Sequence, residues 1–309
     1  MNILITRHDK IGDFITILPL LKIIKSHTKH KVTVLVAAIN YDLARNIDYI
    51  DEVIVYTPDS LQLVQEIRQH NFDVSISCFI DSRLAMMLWL ANIPRRIAPA
   101  TKIAQLFFNN RVKQKRGKSG KTEWQYNIDL LTSLDPKINH SFTQPLLSFT
   151  DVDPSKVKIV AFHPGFGGSS DANLSLQHYL QLAKSIAGQQ GIKVVFTFGP
   201  DDAASRDYIA KHIDFPAELI DSKVSLVDFC KLLATFELFI STSTGPMQLA
   251  GALNIKTLSF FGDNSFAGAN RWAPISDAER QVNFSVPENY TQDFYQSVEH
   301  KLAAILKIS

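Results

Sequence analysis

The sequence predicts an α/β protein made of two doubly wound, Rossmann-like halves of similar size. Strand-length apolar runs alternate with amphipathic helical stretches, and the series occurs twice along the chain. Between the two series lies an aperiodic segment, Asp135 to Ser155, carrying Pro136, Pro145 and Pro154. The length agrees: 309 residues fit two domains at roughly 100–200 residues each. At 46% hydrophobic and 20% charged residues, the chain can bury a sizeable core, which excludes disordered, collagen-like and coiled-coil classes.

The first series opens with a short strand, Asn2 to Thr6, followed by a helix from Gly12 to Ser26 whose apolar positions recur at three- and four-residue spacing. Strands follow at Lys31–Val36 and Glu52–Tyr56, then a helix at Leu61–Gln69. A strand at Asp73–Ser77, a helix at Ser82–Leu90 and a short strand at Arg95–Ala98 complete it. The second series begins with a strand at Val157–Phe162 and a helix at Leu176–Gln189. Next come a strand at Ile192–Phe198, helices at Ala203–His212 and Ser225–Ala234, and a strand at Glu237–Ser241. A helix at Gly245–Leu253, a strand at Lys256–Phe261 and a helix at Tyr290–Lys307 close the chain. The expected domains are residues 1–150 and 151–309, facing a central cleft, with the closing helix free to pack back on the first. Sheets of this kind bind ligands at the carboxyl ends of their strands.

Lys and Arg total 32 against 30 Asp and Glu, so no whole-protein affinity for nucleic acid is expected and any anion site must be local. Cys78 and Cys230 sit apart in apolar segments with no zinc-ligand spacing; they read as buried free thiols. Arg7, His8, Asp9 and Lys10 interrupt the first apolar stretch, so it is no signal peptide. The longest apolar run, Phe14 to Leu21, is far short of the ~20 residues of a membrane span. The expected location is cytoplasmic.

Three strand ends carry candidate chemistry. Thr6 to Asp13 runs from the first strand through four polar residues to Gly12 and Asp13; Asp13 is either an active carboxylate or a helix cap. His163 to Ser170 follows the first strand of the second half, and Gly165, Gly167 and Gly168 would let backbone N–H groups approach a ligand. Their spacing is not that of a dinucleotide fingerprint. Ser243, Thr244, Gly245 and Pro246 form a hydroxyl-bearing helix start suited to a diphosphate. Gly117 to Thr122 imitates a phosphate loop, but Lys115 stands where that loop requires glycine. What remains is a basic stretch from Arg111 to Lys121, either a solvated loop or a patch for a phosphorylated or membrane-surface partner.

Taken together, Asp9-Lys-Ile-Gly-Asp13, the His163-Pro-Gly loop with Asn173 to Tyr179, Ser243 to Ala250 and Arg271 to Pro274 resemble the bacterial heptosyltransferase family of glycosyltransferases. The resemblance spans nearly the whole chain. It implies a two-domain GT-B fold and inverting transfer of heptose from ADP-heptose to the inner core of lipopolysaccharide or lipooligosaccharide, with no metal and no cofactor. It implies an acceptor-binding first domain and a donor-binding second one. By that resemblance Asp13 is the general base. The donor set is His163, Gly165, Gly167, Gly168, Ser169, Asp201, Val224, Ser243, Thr244, Gly245, Pro246 and Gln248. The acceptor set is Arg7, Lys10, Gly12, Arg111, Lys113, Lys115 and Arg116. The partners implied are a nucleotide sugar and a lipid-linked saccharide, with peripheral contact at the inner membrane surface and no nucleic acid. Two departures bear on the donor. No basic residue lies between Gly165 and His178, where the family often carries one, and Ser243 and Gln248 replace an Asp and a His common in it. A different donor sugar, or a nucleotide-sugar-binding protein without catalysis, are the alternatives.

Overall fold

The computed structural model describes residues 1–57, 59–116, 120–149, 151, 157–165, 173–221, 223–264 and 266–308. The chain divides into two units, Met1–Leu146 and Leu147–Ser309.

In the first unit the elements are β1 (Asn2–Arg7), α1 (Ile11–Ile15), α2 (Leu18–His27), β2 (Lys31–Val36), α3 (Tyr41–Arg45) and β3 (Glu52–Val55). They continue with α4 (Ser60–Gln69), β4 (Val74–Ser77), α5 (Ser82–Leu90), β5 (Arg95–Pro99), β6 (Asn110–Val112) and α6 (Glu123–Asp129). The six strands form one parallel sheet in the order β3-β2-β1-β4-β5-β6. The chain winds outward from β1 through β2 and β3, then returns and winds the other way. The order reverses between β1 and β4, at the place where such sheets open a crevice. β1 is covered on both faces, so Ile3, Leu4 and Ile5 are fully buried.

The single helix expected over Gly12–Ser26 is two. Pro19 has no N–H to return to Ile15, and it sits in the first turn of α2, where that loss costs nothing. Thr16 ends the preceding turn, its hydroxyl donating to the Asp13 carbonyl at 2.7 Å. α1 is therefore a separate short turn. Asp59 and Asp81 cap α4 and α5 by accepting from the first backbone N–H groups of each helix. Thr122, the last residue of the false phosphate loop, is the N-cap of α6, in a reciprocal capping box with Gln125.

The second unit holds β7 (Lys158–His163), α7 (Leu176–Ile186), β8 (Ile192–Phe198), α8 (Ala203–His212), β9 (Glu218–Asp221) and α9 (Leu226–Ala234). It ends with β10 (Leu238–Thr242), α10 (Gly245–Ala252), β11 (Lys256–Gly262), α11 (Ala269–Trp272), β12 (Gln281–Val286) and α12 (Gln292–Leu306). Its parallel sheet runs β12-β11-β10-β7-β8-β9, reversing between β7 and β10. The closing helix, left free by the sequence to pack on the first half, buries Tyr295, Val298, Leu302 and Leu306 in the core of its own unit. Both cysteines are buried thiols, and burial pushes each up to about 12. Among the described residues no helix is long and apolar enough to cross a membrane.

α10 lies hard against the segment after α11. A Cβ on Gly251 would come within 2.7 Å of the Pro274 Cβ and 2.8 Å of the Ile275 amide nitrogen. Overpacking of about 1–3 kcal/mol outweighs the ~1 kcal/mol that alanine gains in a helix. Gly251→Ala is expected to lower the thermal midpoint by about 2–8 °C, measured by calorimetry.

Candidate active site

At the carboxyl end of β1 the side chain of Arg7 turns inward and is 3% exposed. Its Nε donates to Asp9 at 2.8 Å and its Nη1 to the Cys78 carbonyl at 3.2 Å, while Nη2 donates to Asp13 Oδ1. Nη1 also lies 3.7 Å from Glu123, itself 2% exposed, and Arg116 donates to the same Glu123 oxygen at 2.7 Å. Parallel pairing brings these groups together. β1 and β4 run in register, Thr6 beside Ser77, so Arg7 and Cys78 leave the sheet side by side at the reversal point. α1 and α6 then supply Asp13 and Glu123.

Burial opposes the charge on Arg7, but Asp9, Asp13 and Glu123 outweigh it and raise its pKa. Burial pushes the Asp9 carboxyl above its ordinary value; Arg7 pulls it back and the charge of Asp13 adds to the rise. Asp13 does not cap α1. The N-cap position belongs to Lys10, and the Asp13 carboxylate points to Arg7 instead. The helix-cap reading of Asp13 therefore fails.

A second pair borders the cluster. His8 Nε2 lies 2.6 Å from Asp81 Oδ2, and the His8 ring lies 4.5 Å from that of Tyr56 and 5.3 Å from that of Phe79. Burial pushes the Asp81 carboxyl up, but the hydrogen bonds from His8 and the Leu84 and Arg83 amides outweigh it and hold it below the usual range. Phe79 also carries two cations over its ring, Arg7 at 5.9 Å and Lys102 at 5.1 Å.

The basic stretch separates into two parts. Arg111, Lys113 and Lys115 are exposed, as is Lys10. Arg116 turns inward to Glu123 and over the Tyr126 ring. Arg7, expected to contact the acceptor, is instead consumed by three carboxylates. Glu123 escaped the sequence reading, although it is the first acid after a long basic run and opens a capped helix.

In the second unit, β7 and β10 pair with His163 beside Ser241, so the His163-Pro-Gly turn and the Ser243–Gly245 helix start leave neighbouring strands at the reversal point. His163 is 3% exposed, with Nδ1 3.0 Å from the Thr197 hydroxyl and Nε2 3.6 Å from Asp202. Asp202 also accepts from the Gly199 amide at 2.7 Å. It lies so close over Gly165 that a Cβ there would stand 2.0 Å from the carboxyl carbon, which is why position 165 is glycine. The sequence reading named Asp201; that side chain is exposed, and its neighbour Asp202 faces His163. Gly167, Gly168 and Ser169 lie outside the described residues.

Thr244 occupies the N-cap position of α10, but its hydroxyl donates back to the Thr242 carbonyl at 3.3 Å instead of capping. Pro246 lies in the first turn. Gln248 is buried and donates to the Trp272 carbonyl at 2.7 Å; its Oε1 has no hydrogen-bond partner among the described residues. Val224 is 55% exposed beyond β9.

Burial lowers the pKa of His163, with Asp202 pulling the other way, so the ring is neutral at pH 7. Below the unfolded value near 6.5 the unfolded chain takes up a proton that the folded chain refuses until its own lower pKa is reached. Acidification through that window destabilises the fold. His163→Gln is expected to flatten the fall in urea midpoint below about pH 6.5, measured over a pH series.

The profile of glycosyltransferase family 9 (heptosyltransferase) matches residues 60–302. A Haemophilus influenzae protein, provisionally named a glycosyltransferase, is 34% identical over 310 residues, spanning 93% of this chain and 89% of that protein. Among solved structures, Escherichia coli ADP-heptose lipopolysaccharide heptosyltransferase II superposes with a TM-score of 0.81 at 19% identity, covering 99% of each chain. An Escherichia coli heptosyltransferase solved with ADP-2-deoxy-2-fluoro heptose superposes at 0.78 and 17% identity, over 98% of this chain and 99% of that one. These two similarities establish the fold, two parallel α/β sheets of the GT-B class.

Proposed function

This chain belongs to glycosyltransferase family 9, the heptosyltransferase family, and from that premise we propose that it transfers heptose from ADP-heptose to a hydroxyl of the inner core of lipopolysaccharide or lipooligosaccharide, with inversion and without a metal. The observation that carries this reading is the Asp13 carboxylate, held at the end of β1 by a buried arginine.

Asp9, Asp13 and Glu123 bring three negative charges, and Arg7 and Arg116 bring two positive ones. Arg7 fixes the orientation of Asp13 while its own charge is divided among three carboxylates. Asp13, about one-fifth exposed, takes the proton of the attacking hydroxyl. The hydroxyl oxygen bonds to the anomeric carbon as the bond to the diphosphate breaks, and ADP leaves. Positioning and proton abstraction then share the work.

The donor diphosphate is assigned to the second unit. Its support is that the His163 turn and the α10 start leave paired neighbouring strands at one reversal point, and that a helix start offers unpaired backbone N–H groups to an anion. The naming of ADP-heptose is supported by the solved relative that holds its 2-deoxy-2-fluoro analogue. Asp202 replaces Asp201 in the donor set as a positioning group for the His163 turn. Lys10, Arg111, Lys113 and Lys115 remain assigned to the phosphorylated acceptor, and their exposure suits that role.

The decisive substitution is Asp13→Asn. Asparagine keeps the shape and loses the basicity, and Arg7 retains Asp9 and Glu123. The expected result is a fall in kcat of about 10²–10⁴, with calorimetric ADP affinity and thermal midpoint nearly unchanged. A variant keeping more than about a tenth of wild-type kcat would assign the base elsewhere. A chelator is expected to leave the wild-type rate unchanged, and ADP is expected to bind more tightly than other nucleoside diphosphates.

A further inference from the structure

The first unit exposes large apolar side chains in one short region. Met86, Trp89 and Leu90 on α5 are 39%, 51% and 41% exposed. Ile103 and Leu106, on the 3-10 turn Ile103–Phe107 after β5, are 81% and 73% exposed. The two pieces form one surface: α5 packs against that turn, and the Trp89 and Phe107 rings lie 6.2 Å apart. An apolar patch of this kind on a soluble-type fold marks an interaction site.

The segment that carries it has charge of one sign only. From Ser82 to Thr122 the sequence contains no Asp or Glu. Arg83 shares the solvent face of α5 with Met86 and Leu90 at helical spacing, and Lys102 directly precedes Ile103. Arg111, Lys113 and Lys115 follow on the edge strand and the turn beyond it. The surface is also continuous with the candidate site. Lys102 reaches back to donate to the Ile80 carbonyl at 3.3 Å and stands over Phe79, the ring that Arg7 and His8 also face.

We propose that the α5 face and the 103–107 turn are a docking surface for an anionic phospholipid bilayer. Exposed Trp, Ile and Leu enter the headgroup boundary, and the basic side chains of the same segment are drawn to negative headgroups. The charge complementarity selects a lipid surface over a second copy of this chain, whose corresponding face would carry the same positive charge. Docking here brings the Phe79 side of the β1 strand end near lipid-borne substrate.

The test uses the full chain and vesicles without any saccharide, so its outcome is independent of the Asp13 experiment. Wild-type protein is expected to sediment with phosphatidylethanolamine–phosphatidylglycerol vesicles, to leave phosphatidylcholine vesicles in solution, and to lose binding as salt rises. Ile103→Asp combined with Leu106→Asp is expected to weaken binding by about tenfold or more. Both side chains are largely exposed, so the thermal midpoint and circular dichroism should not move. Absence of wild-type binding to the anionic vesicles would overturn the proposal, as would full binding by the double variant. A dimer in sedimentation equilibrium that the double variant dissolves, without vesicle binding, would overturn it in favour of self-association.

Discussion

The first unit is organised around a guanidinium buried at the end of its central strand. A charge taken out of water is costly unless each of its donors is met, and Arg7 is met by Asp9, Asp13, Glu123 and a backbone carbonyl. Those partners come from the β1–α1 turn, from α1, from the start of α6 and from the end of β4. One side chain thus ties α1 and the start of α6, which no strand pairing joins, to the paired ends of β1 and β4. Removing the arginine would strand three carboxylates at once, a loss on the order of the 3–5 kcal/mol that breaking a buried pair costs, so the arrangement depends on Arg7 more than on any one of its carboxylates. Its orientation of Asp13 is a by-product of satisfying Arg7, which ties the proposed chemistry to the stability of the strand end.

The two units solve the same geometrical problem with different residues. Each reverses its winding beside its first strand, and each places a turn and a helix start at that reversal. In the first unit the opening is filled by charge. In the second it is lined by a neutral, buried histidine, a glycine with no room for a side chain, and hydroxyls. These opposite characters suit the proton acceptor proposed for the first unit and the diphosphate cradle proposed for the second.

The central strands were legible because burial on both faces writes continuous apolar runs such as Asn2–Thr6 and Ile192–Phe198. β6, β9 and β12 were not. Each lies at a sheet edge and is only half covered, so its sequence carries no such run. α6 was missed because its capped start is preceded by a basic stretch that reads as loop. Asp13, His163 and Thr244 stand out in the sequence because they follow strand ends, where sheets of this kind bind ligands. Their partners were harder to see. Glu123 reaches Arg7 across more than a hundred residues of chain, and spacing along the sequence has nothing to say about such a pairing. The displacement from Asp201 to Asp202 has a local cause. Asp202 is the residue that enters α8 and Asp201 precedes it in the turn, so the two side chains point different ways, and only the structure shows that Asp202 lies over Gly165.

The division at Leu146 has a consequence for how the protein is made. Every strand of the first sheet lies before that residue, and no strand of the second unit is inserted into it. The ribosome therefore delivers a complete first sheet while the second is still being translated, and domains fold as units from the N-terminal end. Glu123 and Arg116 are the last members of the charged cluster to emerge, so until they do Arg7 is met by Asp9, Asp13 and the Cys78 carbonyl. The newborn half-protein closes its innermost ion pairs with what it already carries, since every charged side chain of that cluster lies before Leu146.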